Sequence, residues 1–174
     1  DGFTPLEYGP AWAPDGEWVA FTTVDEHNRG HVWKVRSGGG GAPERLTVRA
    51  GEYANPVWSL DGESLVVVRG AGATARGLQM NYNGWYDLVR VPASGGEAEL
   101  ITRTRPTGHL GLVRPSFGPD GRIYFYEPGL APDGRSVTEL SSVRRDGTDR
   151  RSHVQFRFAH DARMSPDGRW VAIQ

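Results

Sequence analysis

Apolar residues occur in short runs that follow glycine turns, and these runs recur along the whole chain. The runs occupy residues 18–21, 65–68, 123–126 and 170–173, each one or two residues after an Asp-Gly pair. Runs without polar alternation are typical of strands that are covered on both faces. No segment has the 3.6-residue period of an amphipathic helix. The pattern therefore predicts an all-β protein with buried central strands.

Each run belongs to a longer phrase that occurs four times, at residues 10–21, 56–67, 115–125 and 162–173. A short apolar segment leads to the turn Pro-Asp-Gly, as in Pro14-Asp15-Gly16, and a longer apolar segment follows. Proline presets the first corner of a type I turn, aspartate bonds nearby amides, and glycine takes the left-handed conformation that closes a bulged hairpin. Leu60 replaces the proline in the second copy. Each phrase predicts a hairpin.

Two further strands follow each complete copy, with a second tight turn between them. They are predicted at 31–35 and 44–47, at 86–91 and 99–102, and at 140–143 and 153–156. Four antiparallel strands at intervals of roughly 45 to 60 residues indicate a β-propeller blade. The predicted blades span about 9–48, 54–102 and 113–157, with two strands of a fourth at 160–174. The Pro-Asp-Gly of residues 131–134 is predicted to be a loop turn.

The predicted fold is thus a β-propeller of about three and a half blades. Complete propellers have about four to eight blades, so the count predicts a segment of a six- or seven-bladed ring. An alternative is that two copies close one ring. The expected partners are the remaining blades or a second copy, and self-association is expected of the chain alone.

Composition excludes only a few classes of function. The chain has 174 residues, a formal net charge of −1 and no cysteine. The charge does not favour nucleic acid or an anionic membrane, and disulfides and thiolate metal sites are excluded. No apolar run approaches the length of a spanning helix.

Binding is expected on the loops opposite the Asp-Gly turns, because long loops on a rigid scaffold commonly carry function. These loops are predicted at 24–30, 49–55, 69–84, 103–114 and 127–135. The candidate binding residues are Tyr53, Arg76, Asn81, Tyr82, Trp85, Arg105 and His109. The alternative is that Met80, Tyr82 and Trp85 pack the longest loop onto its own blade.

No catalytic or metal-binding residue is assigned. The histidines lack metal-site spacing, the recurrent aspartates follow turn geometry, and no Gly-x-Ser-x-Gly elbow occurs. His31 and His153 are predicted to be packing or edge residues. The arginine-rich segment 144–151 is predicted to be a solvated, charge-balanced hairpin tip. Five tryptophans are predicted to lie in the core between blades: Trp12, Trp18, Trp33, Trp58 and Trp170.

The Trp-Ser/Ala-Pro-Asp-Gly-x-x-Val-Ala-Phe phrase, with a later Gly-Gly and Leu-Thr in the unit, resembles the TolB-type propeller repeat, which is also described as WD40-like. Such repeats occur in TolB, in propellers of prolyl-oligopeptidase-like and tricorn-type peptidases, and before amidohydrolase domains. The resemblance therefore implies the fold and leaves the function open.

The phrases at residues 8–12, 30–35 and 158–170 most resemble a propeller that precedes a metal-dependent amidohydrolase domain. This resemblance implies an accessory, substrate-gating or assembly role in a hydrolase. A divalent metal such as zinc would lie in the parent enzyme, and no cofactor is expected in this segment. The alternatives are the gating propeller of a prolyl-oligopeptidase-like serine peptidase and a TolB-like module that binds a protein partner without catalysis. A periplasmic or extracellular location is implied by resemblance alone.

Overall fold

The computed structural model describes residues 6–25, 29–106, 113–157, 162–165 and 167–173. Its strands form three four-stranded antiparallel sheets and one two-stranded sheet. Blade 1 contains β1 (Leu6–Trp12), β2 (Trp18–Val24), β3 (Val32–Arg36) and β4 (Glu44–Arg45). Blade 2 contains β5 (Tyr53–Trp58), β6 (Ser64–Gly70), β7 (Tyr86–Pro92) and β8 (Glu99–Thr104). Blade 3 contains β9 (Ser116–Phe117), β10 (Ile123–Leu130), β11 (Ser136–Val143) and β12 (Arg151–Phe156). The last sheet pairs β13 (Ala162–Met164) with β14 (Val171–Ile173).

Strands pair in chain order within every sheet, so each blade is a meander. This arrangement confirms the predicted all-β, partial-propeller fold. The described residues also contain two 3₁₀ turns, Thr74–Arg76 and Met80–Tyr82, both in the connection between β6 and β7. Among these residues, no helix has the length and apolarity needed to cross a membrane.

The Asp-Gly turns have the predicted geometry. In the first turn, the Gly16 amide donates to the Ala13 carbonyl at 2.9 Å, and Gly16 has a φ of 72°. The Asp15 carboxylate accepts the Glu17 amide at 2.8 Å. The same aspartate-to-amide bond recurs at Asp61, Asp120 and Asp167. These side chains are therefore turn-forming groups, as the sequence predicted.

The core lies between neighbouring blades and has two parts. Leu65 and Val67 of β6 pack with blade 1, while Val66 and Val68 of the same strand pack with blade 3. Because both faces of β6 are covered, its apolar run does not alternate. The two parts of the core meet at blade 2, which is the structural centre of the described chain.

The turns between third and fourth strands contact the preceding blade. The Gly96 amide donates to the Leu46 carbonyl of blade 1 at 2.9 Å. The Gly147 Cα lies so close to blade 2 that a Cβ atom there would be 2.0 Å from the Ile101 carbonyl oxygen. Backbone contacts therefore link successive blades in addition to the side-chain core.

The structure shortens the predicted loops: Val24 belongs to β2, residues 53–55 belong to β5, and residues 69–70 belong to β6. Residues 127–130 belong to β10, and the Pro-Asp-Gly of residues 131–134 closes a tight hairpin to β11 instead of a long loop. Arg103 and Thr104 belong to β8, so the connection to blade 3 begins later than expected. The β10–β11 ladder continues from the Glu127–Glu139 pair to the Leu130–Ser136 pair, so these residues form strands and not an irregular loop.

The tryptophan prediction is correct for Trp58 and wrong for Trp12 and Trp170. Trp58 is 6% exposed, and its indole donates to the Ala11 carbonyl of blade 1 at 3.0 Å. Trp12, at the same repeat position, is 66% exposed because blade 2 packs on the opposite side of blade 1. Trp170 is also exposed, and its sheet has two described strands. Trp18 and Trp33 are half-buried.

Trp58 and Trp12, which occupy the same position of the repeat, offer a matched test of the core between blades. Replacing Trp58 with Ala is expected to lower the free energy of unfolding by about 3–5 kcal/mol, because a buried aromatic side chain and its hydrogen bond are removed. Replacing Trp12 with Ala is expected to change it by less than about 0.5 kcal/mol. Urea unfolding of both variants measures the difference. Equal losses would contradict the placement of Trp58 in the core.

The prediction that the arginine-rich tip between β11 and β12 balances its own charges is correct only in part. Asp149 forms ion pairs with Arg144 at 3.3 Å and with Arg122 at 3.0 Å. Arg145 instead reaches blade 2, where its Nη1 lies 2.6 Å from Asp61 Oδ2. The tip therefore contacts blade 2 through Arg145, and most of its charges are paired.

Candidate functional site

The segment 71–85, between β6 and β7, is attached to the scaffold by Glu52. The Glu52 Oε1 atom accepts the Thr74 amide and the Thr74 hydroxyl, each at 2.5 Å. Its Oε2 atom accepts the Asn83 side-chain amide at 2.7 Å. Asn83 Oδ1 in turn accepts the amides of Ala71 and Ala73 at 2.8 and 3.0 Å. Both ends of the segment are thus tied to one buried carboxylate.

The charge state of Glu52 follows from these bonds. Burial alone would raise the pKa of Glu52, but hydrogen bonds from Thr74, Asn83 and the Gly72 amide outweigh it and lower the pKa. Hydrogen bonds donated to a carboxylate favour its charged form. Glu52 is therefore ionised at neutral pH and acts as an acceptor for the loop.

The anchored segment presents several of the predicted binding residues. Arg76 lies in the first 3₁₀ turn and is exposed. Asn81 and Tyr82 lie in the second, and Tyr82 is 61% exposed. Trp85 immediately precedes β7 and is 43% exposed. Met80 packs against the blade 2–blade 3 core. The alternative, in which these three side chains pack the loop onto its own blade, is correct for Met80 and wrong for Tyr82, whereas Trp85 is partly exposed and lies against Arg103 of the same blade.

Two other predicted residues have different placements. Tyr53 is 2% exposed and belongs to the core between blades 1 and 2, so its expected surface position is wrong. Its hydroxyl donates to the Arg49 carbonyl at 3.2 Å, and its own carbonyl accepts the Tyr8 hydroxyl at 2.8 Å. The tyrosine is buried because β5 begins at this residue, earlier than the loop prediction assumed. His109 lies outside the described residues.

Trp85 and Arg105 both line a groove of about 440 Å³ between blades 2 and 3. The groove is lined by Gly84, Trp85, Arg103, Thr104, Arg105, Glu127, Pro128 and Arg150. We refer to it below as the arginine groove. The sequence-based selection missed Arg103, Glu127 and Arg150. The first two fell inside predicted loops without a distinguishing motif, and the third was assigned to the solvated tip.

Ion pairs hold the arginine side chains that line the arginine groove. Asp87 accepts Arg103 Nε at 2.8 Å and Arg69 Nη2 at 3.1 Å. Burial would raise the pKa of Asp87, but these two arginines lower it. The guanidinium of Arg103 also lies 5.0 Å from the centre of the Trp85 ring, which is a cation–π distance. Asp87 and Trp85 together therefore hold Arg103 at the groove.

The opposite wall of the groove is held by Glu127. Its carboxylate pairs with Arg150 and accepts the Thr104 hydroxyl at 3.3 Å. Arg150 also donates to the Thr102 hydroxyl at 3.1 Å and to the Arg103 carbonyl at 3.2 Å. Arg150 thus binds Glu127 of its own blade through Nε and Nη2 and reaches blade 2 through Nη1.

A serine–histidine contact elsewhere in blade 3 does not form an accessible nucleophile. Ser142 Oγ lies 2.7 Å from His153 Nε2, and Arg122 Nε donates to the same oxygen at 2.8 Å. Ser142 is fully buried. A buried hydroxyl shared with a guanidinium is a structural link, as was expected for His153. Among the described residues, no group of three or more metal-ligating side chains comes together.

No family model matches the chain. Its solved structural neighbours include TolB-like and other β-propellers. TolB from Acinetobacter baumannii superposes with a TM-score of 0.54 at 22% identity, covering 86% of this chain and 32% of that chain. The β-propeller domain of the Trilobed protease from Pyrococcus furiosus gives 0.59 at 11% identity, covering 88% and 44%. These likenesses establish the propeller fold.

A curated protein also matches at the level of sequence. The chain is 26% identical over 134 residues to the uncharacterized peptidase YuxL of Bacillus subtilis (strain 168), a match that covers 65% of this chain and 20% of that protein. The chain thus spans less than half the length of each of these three proteins. These matches give no support to the amidohydrolase interpretation and are closer to the peptidase alternative.

Proposed function

We propose that this chain is part of the propeller of a larger peptidase, where it receives peptides and positions them for a catalytic domain outside the described residues. The observation that carries the proposal is the sequence match to a peptidase over 65% of the chain. The structural likeness to the propeller of a protease is in accord with it. The nearest of the sequence-based alternatives is the gating propeller of a prolyl-oligopeptidase-like enzyme.

The described site supports a binding role. The segment 71–85 displays Tyr82 and Trp85 from a scaffold held by a buried carboxylate. Aromatic side chains held in one conformation bury much area on binding at a small entropic cost. The arginine groove lies directly beside Trp85. A peptide that contacts both features would be held against blades 2 and 3.

The proposal is tested with the full-length protein that contains this chain. We expect it to hydrolyse internally quenched fluorogenic peptides and to react with a fluorophosphonate probe, which labels active serine hydrolases. Trp85→Ala is expected to reduce kcat/KM for peptides about tenfold, because a positioning contact is lost. The matched control is Leu100→Ala, which removes an exposed side chain of β8 outside the groove.

Other outcomes separate the remaining candidates. Chelator-sensitive hydrolysis of non-peptide amides, without labelling by the probe, would favour the amidohydrolase alternative and its metal. Absence of any hydrolysis, with capture of a protein partner that depends on Tyr82 and Trp85, would favour the TolB-like binding module. Either result would overturn the peptidase proposal. The periplasmic or extracellular location stays a prediction.

A further inference from the structure

Two arginines in the arginine groove retain hydrogen-bond donors that the described protein does not use. Arg103 binds Asp87 through Nε, and its two terminal nitrogens have no hydrogen-bond partner among the described residues. Arg105 is exposed, and its side chain forms no hydrogen bond or ion pair within the described part of the chain. Guanidinium groups bind carboxylates strongly through paired N–H donors. The groove thus offers donors suited to an anion.

The local charge balance is also positive. The lining contains three arginines and one glutamate. Glu127 is already paired with Arg150, and its carboxylate also accepts the Thr104 hydroxyl. Asp87 is shared by Arg69 and Arg103 and so is more than neutralised. Arg103 shares Asp87 with Arg69, and Arg105 has no ion-pair partner among the described residues, so the excess positive charge lies at the two groups with unused donors.

The geometry is held in place before a ligand arrives. Arg103 is fixed from one side by Asp87 and lies against the Trp85 ring at 5.0 Å. Trp85 ends the anchored segment directly before β7, and Arg103 lies within β8. A side chain that is already held in position loses less conformational entropy on binding. Trp85 and Pro128 add apolar surface beside the cations.

We propose that the arginine groove binds a carboxylate of a peptide, with the carboxylate held by the terminal nitrogens of Arg103 and by Arg105. An apolar side chain next to the carboxylate would pack against Trp85 and Pro128. The carboxylate could come from the C-terminus of a peptide or from an acidic side chain, and the chemistry of recognition is the same. The choice of peptides as ligands rests on the proposed function.

The test uses calorimetric titration of the full-length protein that contains this chain with three small peptides. Acetyl-alanyl-phenylalanine carries a terminal carboxylate, acetyl-aspartyl-phenylalanine amide carries a side-chain carboxylate, and acetyl-alanyl-phenylalanine amide carries none. We expect one or both acidic peptides to bind at least about tenfold more tightly than the neutral one, and their affinity to fall with added salt. The peptide that binds more tightly identifies the source of the carboxylate.

Arg105→Gln is the principal variant, because in the described structure its side chain supports no other residue. It is expected to weaken binding of the acidic peptide about tenfold and to leave the neutral peptide unchanged. Arg103→Gln should weaken binding similarly. Arg36→Gln, which changes an exposed arginine of β3 in blade 1, outside the groove, is the matched control. Thermal unfolding verifies that each variant remains folded.

Equal binding of all three peptides, or no loss of binding in Arg105→Gln, would overturn the carboxylate site. The outcome is separable from the proposed function. If the acidic peptides bind as expected and the full-length protein hydrolyses no peptide, the peptidase proposal fails and the site stands. If peptides are hydrolysed but the groove shows no preference for a carboxylate, the peptidase proposal stands and the carboxylate site is wrong.

Discussion

Replacing Gly147 with Ala should destabilise this protein by several kcal/mol, whereas the same change at Gly134 should cost much less. Both glycines close Asp-Gly hairpin turns in blade 3, and their φ angles are 82° and 80°. Alanine in this left-handed conformation costs about 1–2 kcal/mol at either position. At Gly147 the new Cβ would also lie 2.0 Å from the Ile101 carbonyl oxygen, whereas at Gly134 it meets nothing within 4 Å.

The extra cost at Gly147 arises because the clash is with the backbone of blade 2. The turn must move away from blade 2, and the contact between blades loosens. Forced overpacking of this kind costs about 1–3 kcal/mol beyond the strain in the backbone. The free energy of unfolding of Gly147→Ala and Gly134→Ala, measured in urea, gives the difference directly. Identical losses of stability in the two variants would show that the turn at Gly147 does not contact blade 2.

The second large effect is expected at Glu52. Replacing Glu52 with Gln removes the charge that accepts the Thr74 and Asn83 donors and turns one acceptor into a donor. A buried network with unsatisfied donors loses about 2–3 kcal/mol. We therefore expect lower stability and release of the segment 71–85. Tryptic cleavage after Arg76, which is exposed on this segment, should become much faster.

The control for this change is Glu99→Gln. Glu99 pairs with Arg90 at 2.7 Å, but both side chains are exposed, so the loss should be less than about 1 kcal/mol. If Glu99→Gln and Glu52→Gln accelerated cleavage after Arg76 equally, Glu52 would not be the anchor. This comparison separates loss of a surface charge from loss of the buried network.

The same residue predicts a pH dependence. Because the pKa of Glu52 is lowered in the folded protein, its contribution to stability is complete above the pKa of the unfolded chain. The contribution is lost as the pH falls through the lower, folded pKa. The amide proton signal of Thr74, followed by NMR, should therefore remain unchanged through the ordinary carboxyl range and shift only at more acidic pH. In Glu52→Gln this acid transition should be absent.

The strands and turns were predictable because their causes are local. The Asp15 carboxylate bonds an amide two residues away, and the glycine that follows supplies the left-handed backbone. Both interactions involve residues adjacent in the chain, so the phrase Pro-Asp-Gly carries all the information the turn needs. The apolar run in β6 likewise indicated a strand covered on both faces, which the structure confirms.

Exposure could not be predicted from the repeat, because it depends on which neighbour covers a face. Trp12 and Trp58 occupy the same position in the same phrase, yet Trp58 is buried against blade 1 and Trp12 is exposed. Tyr53 resembled a loop residue but begins a strand that packs in the core. In each case the burial of a side chain is a property of the assembled blades.

The sequence by itself determined the class of fold, the repeating unit and the role of the recurrent aspartates, since these follow from short-range backbone preferences and hydrogen bonds. The candidate site was decided by the tertiary structure. Arg150 donates to the Arg103 carbonyl across a separation of 47 residues, and Glu127 of β10 pairs with Arg150. No local sequence pattern predicts these contacts. They form because blade 3 packs on blade 2 and brings side chains that are distant in the sequence to one groove.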